Sequence, residues 1–150
     1  MYEYLLLLHV LGATVWTGGH VVLATTILPK ALKESNPNRI TDFEALYERV
    51  GMPALGLQLI TGVWMALTMQ PSVAMWFTNP TPQSNLILVK LSLLLLTVIT
   101  AIDARLRIFP TLTAATLPRL ARRIALVTVL SIAFVLVGVS FRGILLFGTF

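Results

Sequence analysis

Four stretches of nearly uninterrupted apolar residues, about Tyr4 to Leu28, Val50 to Met69, Leu86 to Ile102 and Ile124 to Phe147, dominate the chain. Each is long enough to cross a hydrocarbon layer as a helix once tilt and flanks are allowed for. Inside lipid a backbone must satisfy its own polar groups, so the expected fold is an all-α integral membrane four-helix bundle. Only 11% of the 150 residues are charged and 57% are hydrophobic, whereas a soluble domain carries about a quarter charged residues. Four spans with short connections use up this length, so a single four-span domain over residues 1–150 is expected. The absence of cysteine excludes disulfides, thiolate zinc sites, thiol catalysis and cysteine-held iron–sulfur clusters. Any metal rests on His, Met, carboxylate or a macrocycle.

The first apolar stretch follows Glu3 instead of a basic segment and contains His9 and His20. It reads as a retained span and not as a cleaved signal. Pro29 is expected to close that span, Pro53 and Pro118 to sit in first turns, and Pro71, Pro80, Pro82 and Pro110 to lie between spans, with no proline in mid-span. In the first connection Phe43, Leu46, Tyr47 and Val50 recur at helical spacing around Glu44 and Glu48, which predicts an amphipathic helix running into span two.

The net charge of +5 and a pI near 10.3 do not point to nucleic acid, because the basic residues sit between apolar runs. Lys30, Lys33, Arg39 and Arg49 fall in the first connection, Arg105, Arg107, Arg119, Arg122 and Arg123 in the third, and none in the second. The positive-inside rule then places the first and third connections in the cytoplasm and both termini outside. Trp76 and Phe77, in the second connection, are placed to lie at the outer interface.

Ionisable groups inside spans are costly and so point to function. His9 and His20 are eleven residues apart, which leaves them about 20° apart around a helix and about 16 Å apart along it. They share a face with Trp16, and Gly12, Ala13 and Gly19 flank it. One helix cannot place both rings on opposite sides of one iron, so each histidine needs a second ligand from elsewhere. Counting from span ends puts His9, Met65, Lys90 and Arg142 in one layer, roughly 6 to 8 Å below the outer boundary. A deeper layer contains His20, with Gln58, Thr97, Thr128 and Ser131 as supporting residues. The bland readings are that Lys90 and Arg142 snorkel outward, that Met65 and Met69 pack, and that Thr97, Thr100, Thr128 and Ser140 bond carbonyls one turn back. Two fixed cations beside His9 would repel a bare Cu⁺ and attract an anionic group such as a haem propionate; if they snorkel away, the soft Met and His donors suit Cu⁺.

At these residues a resemblance appears. The run LHVLGATVWTGGHVVLATTILP is similar to the first span of the copper-resistance protein D family of bacterial inner-membrane proteins, through His9, Trp16, Gly18, Gly19 and Pro29. Lys90, Arg105, Arg107 and Pro110 match that family's third span. His9, the stretch from Glu48 and Arg49 to Pro53, Gly62 with Trp64, and Lys90 also resemble HemJ-type protoporphyrinogen oxidases, but the segment ATTILPK departs from their pattern. The first resemblance implies copper uptake or tolerance, the second a haem b centre and porphyrin chemistry.

The expectation is a multi-pass protein of the bacterial cytoplasmic (inner) membrane that holds haem b or a copper ion through His9 and His20. Trp16, Met65, Lys90 and Arg142 complete the cofactor site, and His9 is the primary ligand. A haem-dependent membrane enzyme and a cofactor-free assembly protein remain open alternatives. The expected partners are the lipid bilayer and a periplasmic copper or redox partner, with self-association left open and nucleic acid excluded.

Overall fold

The computed structural model describes residues 1–141, and these form helices α1 (Tyr2–Lys33), α2 (Asn38–Met69), α3 (Val73–Thr78), α4 (Pro82–Thr111) and α5 (Leu117–Ser140). No strand occurs among the described residues. All but the short α3 are long and apolar enough to cross a membrane. α1 and α2 have 32 residues each, or about 48 Å of helix, so both outrun a hydrocarbon core of about 30 Å.

The surplus length of α2 comes from the first connection. The amphipathic segment expected there fuses with span two into one helix, which leaves Pro53 inside it and not in a first turn. Pro29 likewise does not end α1. The helix widens into a π-turn over Leu23–Ile27 and then carries Pro29 in regular helix to Lys33. A proline ring clashes with the carbonyl four residues back and offers no N–H, and a wide turn just upstream lets the helix absorb both defects. α4 repeats the arrangement: a π-turn over Ala104–Ile108 precedes Pro110 in a closing 3-10 turn.

The ends are set by local chemistry. Ser35 adopts φ 50°, with Asn36 N donating to Ala31 O at 2.9 Å and Ser35 N to Leu32 O at 3.2 Å. This paired bonding through a left-handed residue terminates α1 and reverses the chain. Thr81 and Ser84 form a reciprocal capping box at the start of α4. Trp76 is buried on α3, its Nε1 donating to Gln70 O at 2.9 Å, while Phe77 is exposed.

α1 packs on α2 and on α5, and α5 packs on α4, which gives the lateral order α2, α1, α5, α4. Among the described residues the outer pair α2 and α4 hardly meet, and a cleft of about 330 Å³ opens between them. The apolar core gathers at the end of the bundle where the π-turns lie, around Leu23, Leu28, Ile40, Ile108, Leu117, Leu120 and Ile124. Large apolar side chains elsewhere, such as Ile60, Leu95 and Val129, are exposed, as faces toward lipid should be.

Candidate functional site

Close approach of α1 to α2 rests on glycine. A Cβ on Gly12 would lie 2.9 Å from the Ala54 carbonyl and 2.8 Å from Gln58 Cγ, and one on Gly62 would lie 3.0 Å from the His9 ring. His9 therefore lies against the backbone of α2. Its Nδ1 is 3.0 Å from Thr61 Oγ1, and the Thr61 hydroxyl donates its only proton to Leu57 O at 2.6 Å. The threonine oxygen must accept, so His9 Nδ1 carries the proton and Nε2 keeps its lone pair. Tying Nδ1 to a second oxygen while leaving Nε2 for a metal is the usual way proteins orient a histidine ligand.

His20 is held in the same sense. Its Nδ1 donates to Trp16 O at 2.9 Å, and its ring lies 4.5 Å from the Trp16 ring. The same carbonyl accepts from Tyr47 Oη at 3.1 Å, and Tyr47 also reaches Val15 O at 3.0 Å. The tyrosine ring fills a gap between two glycines: a Cβ on Gly19 would come within 2.2 Å of it, and one on Gly51 within 2.7 Å. Phe43 stacks on its other side at 5.6 Å between centroids, and His20 meets it edge-on at 6.1 Å. His20 thus opens into the cleft between α2 and α4, whose mouth is flanked by Glu44, Glu48 and Arg105. Glu48 and Arg105 pair across that mouth at 3.6 Å.

The remaining residues fall as follows. Trp16 is half-buried beside His20, and Met65 is half-buried one turn from Thr61 on the same face of α2. The Lys90 side chain turns inward, with its Nζ beside Gly138 and 5.5 Å from the Phe141 ring centroid. Arg142 lies outside the described residues. Thr128 Oγ1 bonds Ile124 O at 2.8 Å and His20 O at 3.2 Å, and Ser131 O accepts from Thr17 at 3.4 Å. Thr128 thus ties α5 to the α1 backbone at His20, and the Ser131 carbonyl takes the Thr17 side chain; neither residue bonds the imidazole. Thr97 is buried and bonds only Leu93 O, at 2.8 Å. Gln58 faces Gly12, between the two histidines, because the antiparallel register of α1 and α2 that sets His9 on Thr61 brings Tyr47 and Gly51 to the level of His20. Thr61 and Tyr47 are the contacts that sequence reasoning underrated. The spacing Tyr47 to Gly51, one turn apart and facing Gly19, was the available signal for the second.

Among the described residues no group of three or more His, Asp or Glu side chains gathers as a ready-made metal cage. What the site offers is one oriented imidazole per layer on a shared helix, inside four membrane-crossing helices. This is a membrane protein with histidines turned toward its interior. The family model of copper resistance protein D matches residues 42–141, and the chain belongs to that family. The matched segment covers α2 to α5 and contains neither histidine, since both stand on α1. No characterised protein and no solved structure matches the chain.

Proposed function

We propose that this chain handles copper in a bacterial cytoplasmic membrane, taking Cu⁺ as cargo on His9 near the outer end and on His20 deeper in the cleft. The observation that supports this most is the shared orientation of the two imidazoles, each with Nδ1 hydrogen-bonded to an oxygen and Nε2 free of partners among the described residues. One nitrogen donor per layer suits an ion that accepts low coordination and moves on, and Cu⁺ tolerates imidazole and thioether donors. Met65, one turn from Thr61, is the second donor in the outer layer. At the cleft, Glu44 and Glu48 stand against Arg105 and Arg123, so the lining beside His20 is balanced in charge and carries no positive excess against a cation. Membership of the copper-resistance family supports copper as that ion. The orientation has both termini and the second connection outside, as the distribution of basic residues favours.

A second reading is favoured by Lys90. An ammonium turned into the bundle beside Gly138, in the layer that span counting gives His9, suits the carboxylate of a haem b propionate better than it suits a bare cation. His9 would then hold the iron and Lys90 a propionate, and haem would supply one-electron redox chemistry. An absorption spectrum and metal analysis of the purified protein separate the two. Bound copper without a Soret band supports cargo handling, and a Soret band that His9→Ala removes supports haem.

A further inference from the structure

The end of the bundle away from His9 carries a feature that neither reading uses. Arg107 at the end of α4 and Arg119, Arg122 and Arg123 in the first turns of α5 converge on one pocket of about 410 Å³. Asp103 is the single acid in its wall. That carboxylate is fully engaged, with Oδ2 on Arg123 at 2.8 Å and Oδ1 on Arg107 at 3.5 Å. Arg119 and Arg122 have no carboxylate partner among the described residues. Four guanidinium groups against one carboxylate leave a strong positive excess in a concave site, and the positive end of the α5 dipole adds to it.

We propose that this pocket holds the phosphodiester headgroup of an anionic phospholipid. Guanidinium forks match pairs of phosphate oxygens, and basic pockets between membrane helices at this level recognise such headgroups. Inorganic phosphate shares the chemistry, but the surface that continues from the pocket selects the lipid. Leu126 and Val129, four and seven residues after Arg122, lie on its face of α5 and are 41% and 63% exposed. A headgroup among the arginines therefore has an apolar stripe beside it for its acyl chains. The pocket depends on no assignment for His9 or His20, and its test is separate from theirs.

The experiment is native mass spectrometry of the full-length protein in detergent, titrated separately with phosphatidylglycerol, phosphatidylcholine and inorganic phosphate. Wild type should retain phosphatidylglycerol over phosphatidylcholine. Arg119→Gln with Arg122→Gln should lower that retention roughly thirtyfold, given about 1 kcal/mol for each basic side chain near an anionic surface. Lys30→Gln with Lys33→Gln, in the other basic connection, should leave it unchanged. Equal retention of the two lipids by wild type would overturn the proposal without any variant. So would an unchanged preference in the folded arginine variant, or stoichiometric binding of inorganic phosphate that displaces phosphatidylglycerol.

Discussion

His9 donates through Nδ1 to Thr61, 3.0 Å away on the neighbouring helix, and Thr61 is the acceptor of that pair because its own proton goes to Leu57 O. That two-step bond fixes which ring nitrogen of His9 is available. Replacing Thr61 by Val removes the acceptor while keeping the shape, and the ring loses its fixed orientation. Loss of an outer partner of this kind lowers metal affinity about 10–100-fold, and Thr61→Ser should restore most of it. A Cu⁺ titration against a chromogenic chelator measures both; equal affinity in wild type and Thr61→Val would remove Thr61 from the site.

Gly18 and Gly19 are adjacent and have opposite roles. A Cβ on Gly18 meets nothing within 4 Å, whereas one on Gly19 collides with the Tyr47 ring. Gly18→Ala should be neutral or stabilise by about 0.5–1 kcal/mol through helix propensity. Gly19→Ala should destabilise by about 1–3 kcal/mol as Tyr47 is forced from its slot. Thermal unfolding of the two variants in detergent gives the comparison, and equal midpoints would mean that Tyr47 does not occupy the slot.

Lys90 separates the two readings of the outer layer. Across a neighbouring-helix spacing of about 10 Å, two unit charges at an effective dielectric of about 20 repel by on the order of 1.5 kcal/mol. Lys90→Met should then tighten Cu⁺ binding about tenfold if the ligand is the ion, and weaken retention if the ligand is a haem with its carboxylate on Lys90. Chelator competition reads the first, haem content per chain the second.

Orientation is tested cleanly because the chain has no cysteine of its own. With Asn36→Cys and Asn79→Cys made separately, an impermeant thiol reagent applied from outside should modify position 79 and spare position 36. The reverse pattern would invert the bundle.

The helices and the inward face of α1 were legible in the sequence, because apolar length and a 100° period per residue are local properties. Counting from span ends puts His9 and Lys90 in one layer; the structure sets His9 against Gly62 and Lys90 against Gly138 and Phe141. Helix ends were less legible. Proline rules assume a regular helix, and the π-turns before Pro29 and Pro110 let α1 and α4 run past the residues that should stop them. Gln58 was counted level with His20, yet antiparallel register, which depends on how closely Gly12 admits α2, sets it opposite Gly12. Tyr47 belonged by pattern to an amphipathic surface helix, and its role as the filler between Gly19 and Gly51 appears only when two helices are brought together.

The claim that His9 is the primary copper ligand is tested most directly by copper bound per chain in purified wild type, His9→Ala and His20→Ala, loaded under reducing conditions and checked for folding by size exclusion. The account predicts that His9→Ala loses most of the bound copper, while His20→Ala weakens binding or loses only a separate second site. Full copper occupancy in folded His9→Ala would contradict it.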